Sequence, residues 1–194
     1  MTGLMLGLEN IWNEKDIAIR VDTFIQPLTK YKYGIYIKNV GLVTDQKKFH
    51  DYDAKDLLLQ SPALFEKHKG GMCHDATLYV NGKLSELNVS HKLIYVASNK
   101  RPYLPTHSYV VYENPKDVWY ALDVFSVKGC IYQNTFDTWE EAANFRKALW
   151  EKEEDLLKHK TMFVYVKQFP KPGTNIIDFM QYMYDNGIDV QLKK

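Results

Sequence analysis

The sequence predicts an α+β fold. Three observations carry that expectation. Strand-like segments in the middle of the chain are joined by short connections, which favours antiparallel pairing. The helical segments are grouped and do not alternate one-for-one with strands. Aromatic residues make up 14% of the chain, with 14 tyrosines, an enrichment suited to half-buried sheet or to a sticky groove.

Residues 16–25, DIAIRVDTFI, alternate Ile17, Ile19 and Val21 with Ala18, Arg20 and Asp22, the period of a half-buried strand. Residues 31–43 read as a second strand, broken by Gly34 and Gly41. Asp53 can cap a helix over AKDLLLQ. Ser61 and Pro62 give an N-cap and a proline at the first helical position, ahead of ALFEKHK. After Gly70–Gly71, CHDATLYV (73–80) predicts a short helix stopped by Asn81–Gly82. Segments 93–97, 107–113 and 118–125 are strand-like. The strongest helix signal runs from Asp137 to about His159. There Thr138 and Glu141 make a capping box, and Trp139, Ala142, Ala143, Phe145, Leu149 and Trp150 form an apolar stripe. The charged run 151–160 reads as a solvated helix end. Segment 162–169 is another strand, PKPGT a loop, and IIDFMQYMYDNG a last helix closed by Gly187.

A chain of 194 residues without a linker suits a single domain over 1–194. With 45% hydrophobic and 25% charged residues it can bury a real core, which excludes wholesale disorder. Twenty-five Lys and Arg stand against 24 Asp and Glu, a net charge of +1, so no footprint for nucleic acid or an anionic membrane is visible. No run of about 18 apolar residues is present for a membrane span, and no signal peptide begins the sequence. The expected setting is cytoplasmic, although leaderless export would leave the same sequence. Two cysteines, Cys73 and Cys130, make neither a disulfide framework nor a cysteine zinc site. The absence of a phosphate loop, dinucleotide fingerprint or calcium loop predicts no cofactor and no metal.

Chemistry concentrates at KGGMCHDATLYV. A thiol at a helix N-terminus meets the positive end of the helix dipole, which favours the thiolate. The helix N–H groups could also bind an oxyanion, and the glycines would let another chain's backbone approach the sulfur. The plainer reading is a small buried hydrophobe. Cys73, His74 and Asp75 are adjacent on a helix and point in different directions, so one metal site from all three is not expected. His74 and Asp75 read instead as shaping the helix start. His50, His68, His91 and His159 read as solvated surface, and Cys130 as packing. A hairpin centred on Pro115 would set Val111 opposite Trp119, Tyr109 opposite Ala121 and His107 opposite Asp123. Opposed residues share a sheet face, so the carboxylate would orient the imidazole.

Gly71-Met72-Cys73-His74-Asp75, then His107-Ser108-Tyr109-Val110-Val111, then Trp119-Tyr120-Ala121-Leu122-Asp123 resemble the three sequence blocks of the transglutaminase-like superfamily. The resemblance covers about residues 61–126, a third of the chain. It implies a papain-like core, with the cysteine on a helix packed on an antiparallel sheet that carries the histidine and the aspartate. Cys73 would be the nucleophile, His107 the general base and acid, and Asp123 the orienting carboxylate. Val124 follows Asp123 where many members have proline. No residue matches the family's side-chain oxyanion donor. Gln60 and Trp12 are merely present, and the Cys73 N–H is the donor that can be named.

Two functions follow as expectations. One is cysteine-dependent acyl transfer on an amide of a protein or peptide through a thioester, with hydrolysis (peptidase, amidase or deamidase) ahead of transglutamination. The other is a non-catalytic peptide-binding module on the same fold, with Tyr79, Tyr103, Tyr109, Tyr112 and Tyr120 lining its groove. On the first, Asp123→Asn should spare folding and cut turnover.

Overall fold

The structure, a computed structural model, describes residues 14–100, 105–114, 117–125 and 134–189. The readings placed on Trp12, Tyr103 and Cys130 lie outside these residues. The first described element corrects the sequence. Residues expected to form a strand belong to a helix, α1, Glu14–Leu28. Its buried side chains include Val21, Ile25 and Leu28. They are spaced four and then three apart, the period of one helix face. The β-branched alternation at the start of the segment conceals that period, and packing of this face into the core overrides the local preference.

Residues 31–43 form three short strands, β1 Lys32–Tyr33, β2 Ile35–Ile37 and β3 Gly41–Val43. A hairpin joins β2 and β3, and its turn uses left-handed Asn39 (φ 63°) and Gly41 (φ 101°). Asp53 does cap, accepting from the Lys55 N–H at 3.0 Å, but only one 3₁₀ turn follows, Ala54–Asp56. The leucines beyond it stay extended because their backbone is used elsewhere. The Leu58 N–H donates to Tyr36 O at 2.8 Å and the Leu59 N–H to Thr174 O at 2.9 Å. Helix α2, Pro62–His68, starts as expected, with Ser61 Oγ accepting from the Leu64 N–H at 3.2 Å. Strand β4, Gly70–Gly71, then runs parallel to β1 and sets Gly71 beside Tyr33.

Helix α3, Cys73–Glu86, begins at the cysteine but runs on through Asn81–Gly82. A mid-helix glycine costs about 1 kcal/mol. Burying one leucine contributes about 1.5–3 kcal/mol, and Leu84, beyond the glycine, is fully buried.

The remaining strands are β5 His91–Ser98, β6 Thr106–Glu113, β7 Trp119–Leu122, β8 Thr161–Val166 and β9 Ile188–Asp189. They form one sheet in the order β7–β6–β5–β8–β9, with every pair antiparallel. Strand β9 is too short to leave a period in the sequence. Helix α4, Trp139–Glu153, starts at the expected box: Thr138 Oγ1 accepts from the Glu141 N–H, and Glu141 accepts from the Asp137 N–H, both at 3.2 Å. It stops before His159, as Asp155 turns left-handed (φ 55°) and Leu156 folds into the core. Helix α5, Ile176–Asn186, ends at Gly187 as expected. The architecture is therefore mixed helix and sheet, as the sequence predicts. Among the described residues no helix is long and apolar enough to cross a membrane.

The alternation of the strands sorts two cores. Leu93, Tyr95, Ala97, Val110, Tyr112 and Leu122 cluster with side chains of α1, α3 and α5. Ile94, Val96, Tyr109, Val111, Trp119 and Ala121 cluster with Ala142, Ala143 and Trp150 of α4. The β6–β7 register corrects the hairpin arithmetic. Val111 lies opposite Ala121 and Glu113 opposite Trp119, so the pairing is slipped by two residues. A slip of two keeps every side chain on its face, whereas a slip of one would have inverted them. His107 and Asp123 therefore share the α4 face as diagonal neighbours, still within reach of each other.

Candidate active site

The start of α3 is braced from within. Asp75 accepts from the Gln60 N–H (2.7 Å), the Met72 N–H (2.8 Å) and Gln60 Nε2 (3.1 Å). Gln60 Nε2 also donates to Gly70 O at 3.1 Å, and Gln60 Oε1 lies 2.8 Å from His68 Nδ1. Burial pushes the Asp75 carboxyl up to about 6, against the bonds from Gln60 and Met72. A Cβ on Gly71 would stand 2.5 Å from Gln60 Nε2 and 2.6 Å from Asp75 Oδ2, and one on Gly70 would stand 2.5 Å from Lys32 O. The two glycines thus admit groups of this same chain, the Lys32 carbonyl and the Gln60 and Asp75 side chains, and not the backbone of another chain. Both ends of the Gln60 amide are engaged in this brace, which removes Gln60 as an oxyanion donor.

The three residues singled out in the sequence meet at the end of the sheet where β6 begins. Cys73, His107 and Asp123 are all buried. His107 Nε2 and Asp123 Oδ2 are 2.6 Å apart, and Asp123 Oδ1 accepts from the Phe125 N–H at 3.1 Å. With Nε2 held by the carboxylate, Nδ1 is the free ring nitrogen, and His107 is coupled electrostatically to Cys73. The His107 ring lies parallel to the indole of Trp150, 11° between planes and 6.3 Å between centroids.

The electrostatics are those of a linked ion pair. Burial alone would push the Cys73 thiol up. The imidazoles of His74 and His107, by charge and hydrogen bond, outweigh it and hold the thiol well below its ordinary value. Burial would lower His107, but Asp123 first and Cys73 second raise it to about 10. Burial would raise Asp123, but His107 and then Arg146 draw it down to about 2. All three shifts favour the charged forms, thiolate, imidazolium and carboxylate.

Two contributors were missed in the sequence. Arg146 of α4 is 1% exposed. Its Nε donates to Asp123 Oδ2, and its Nη2 to Glu153 Oε2 at 2.9 Å. The signal for it is present: a charged residue stands on the apolar stripe, one turn after Ala142 and Ala143 and one turn before Trp150. His74 is the second. It is 2% exposed, its ring centroid is 4.3 Å from that of Phe179, and its Nδ1 is 2.8 Å from Ser108 Oγ and 3.8 Å from Cys73 Sγ. Adjacent placement on a helix gave no hint that its ring turns back to the sulfur.

Other expectations change. His68 stacks on Tyr36, and His91 bonds Val89 O (2.7 Å) and Asn81 Oδ1 (3.0 Å), so neither is plain solvated surface. His50 and His159 are exposed, as expected. Tyr79, Tyr109 and Tyr112 are buried in the cores, and Tyr120 stacks on Tyr112, so these four pack the fold, although Tyr79 also borders a pocket between α1 and α3. Among the described residues no cluster of three or more His, Cys, Asp and Glu could hold a metal. No protein-family model matches the chain, and no curated protein is significantly similar to it.

Proposed function

We propose that this protein is a cysteine-dependent acyl-transfer enzyme of the transglutaminase-like type, with a papain-like core, acting on an amide of a protein or peptide. The observation that carries the reading is a buried cysteine at the first residue of α3, coupled electrostatically to a buried His107 that Asp123 holds through the 2.6 Å bond. The Cys73 thiolate attacks the amide carbonyl and forms a C–S bond. The oxyanion sits at the N-terminus of α3, where the first N–H groups have no intrahelical partner. The C–N bond breaks as the leaving amine takes the proton of the His107 imidazolium, which leaves a thioester. Water then gives its proton to His107 and attacks. The C–S bond breaks, and the acid product leaves with the thiolate restored. Hydrolysis is favoured over amine transfer, because transfer requires that water be excluded from the thioester.

The narrow access favours a second reading, a peptide-binding module without turnover, since Cys73 and His107 are only 6% and 7% exposed. Labelling with a chloroacetamide probe at neutral pH separates the two. On the enzyme reading Cys73 reacts roughly 10-fold or more faster than free cysteine, because its thiolate fraction is larger, and His107→Ala slows it. Labelling at the rate of free cysteine, indifferent to His107, would leave the binding module.

A further inference from the structure

We propose that Arg146 is a positioning residue of the proton-transfer step: it fixes the Asp123 carboxylate and, as a permanent cation on the same oxygen, weakens the hold of that carboxylate on the His107 proton. The inference rests on the reading of Cys73, His107 and Asp123 as the reacting set and adds what lets the imidazolium give its proton up. His107 Nε2 lies 2.6 Å from Asp123 Oδ2, and Arg146 Nε donates to that same Oδ2. The guanidinium and the ring are therefore near neighbours across one oxygen atom. The other oxygen, Oδ1, accepts from the Phe125 N–H at 3.1 Å, so the carboxylate has one orientation. Residues 146 and 150 lie four apart on α4 and share a face. The register of α4 on the sheet thus sets both the cation behind Asp123 and the Trp150 indole along the His107 ring, 11° between planes.

Stability alone does not account for this arginine. Helix α4 is already held by buried Ala142, Ala143 and Trp150. A buried ion pair is a poor device for stability, since both charges lose their water. Among the described residues Arg146 Nη1 is buried without a hydrogen-bond partner, which is a further cost. The chemistry does account for it. His107 must release the Nδ1 proton to the leaving amine and keep the Nε2 proton on Asp123. Burial works against the imidazolium, but Asp123 and then Cys73 hold it. Once the sulfur is acylated its charge is gone, and Asp123 is left to hold the proton. A buried carboxylate facing the ring by itself would keep that proton too tightly for transfer at neutral pH. The guanidinium repels the imidazolium and takes a share of the carboxylate's charge. Because a guanidinium does not deprotonate, this counterweight is constant across pH. The groups facing His107 are Cys73 from α3, Asp123 beyond β7, Arg146 from α4 and Tyr109 from its own strand, whose phenol burial keeps protonated. Glu153 stands behind Arg146, 2.9 Å from Nη2, and draws the guanidinium the other way.

The test is the titration of His107, followed by NMR in the full chain carrying Cys73→Ala, with His107→Gln identifying the resonance. Removing the thiol takes away the second group that holds the proton, so the midpoint on this background should lie below that of the wild type. There Arg146→Gln should raise the His107 midpoint by about one pH unit, a roughly 10-fold tighter hold on the proton. Arg146→Lys, which keeps the charge, should raise it by less. Glu153→Gln, which keeps an acceptor for Nη2 and removes its charge, should lower it. Should Arg146→Gln prove unfolded by circular dichroism, Glu153→Gln decides. A folded Arg146→Gln with an unchanged or lower midpoint, an Arg146→Lys shifted as far as Arg146→Gln, or a Glu153→Gln midpoint that does not fall would each overturn the proposal. A His107 midpoint that is the same with and without the Cys73 thiol would instead sink the reading of Cys73 as the partner of His107.

Discussion

The charge pattern of Cys73 and His107 leaves a mark on stability that needs no substrate. His107 is raised from 6.5 to about 10, so its contribution is complete below 6.5 and is lost as pH rises through 10. Cys73 is depressed below 9.0, so its contribution is complete above 9.0 and is lost as pH falls through its folded value. Between 6.5 and 9.0 the unfolded chain carries one proton on the thiol and the folded chain carries one on the imidazole, so both states bind one proton at this pair. In that window the two slopes cancel; below 6.5 the cysteine slope acts alone and stability falls as pH falls, and above 9.0 the histidine slope acts alone and stability declines as pH rises. Cys73→Ala removes one slope and keeps the part of the His107 shift that Asp123 supplies. In that variant the decline should begin near 6.5. Urea midpoints measured against pH for both chains check this. Coincident profiles would mean that the two residues do not titrate as a pair.

At the scale of elements, what was legible in the sequence is what is decided locally. The caps at Ser61, Thr138 and Asp53 each close on a neighbour within three residues, and a short motif suffices to read them. The length of α3 and the identity of α1 are decided by faces buried against distant segments, which no window of sequence contains. The start of α3 combines both kinds. Its first residue was legible, but its brace was not, because Gln60 and Asp75 lie 15 residues apart. That brace has a sharp requirement. Both oxygens of Asp75 face donors, Oδ1 the Gln60 N–H and Oδ2 the Met72 N–H and Gln60 Nε2. Asp75→Asn turns one acceptor into a donor against donors, which should cost about 1–3 kcal/mol, seen as a lower urea midpoint. Chloroacetamide labelling of Cys73 should also slow, as the helix start loosens. An unchanged midpoint would show that the amide finds other partners.

Across the whole molecule the site is where three elements deliver charge to one interior point: the thiol from α3, His107 and Asp123 from the sheet, and Arg146 from α4. Cys73, His107 and Asp123 were legible because their motif and strand parity survive a slip of two. Arg146 was not singled out, because nothing local says which charged residue of a helix turns inward. Its presence revises the expectation that Asp123→Asn spares the fold. Arg146 is buried, and Asp123 is one of the two carboxylates it holds. Taking away one partner of a buried ion pair costs about 3–5 kcal/mol, largely because the other charge is left behind uncompensated. Removing both charges avoids that residue of the penalty, so Asp123→Asn with Arg146→Met should destabilise by less than the sum of the single changes. Glu153, whose side chain is 13% exposed, can take up water once the guanidinium is gone. The coupling should be about 1–3 kcal/mol in a urea double-mutant cycle. Additive effects would mean that α4 and the sheet hold together independently of this pair, and that Arg146 steadies Asp123 without depending on it.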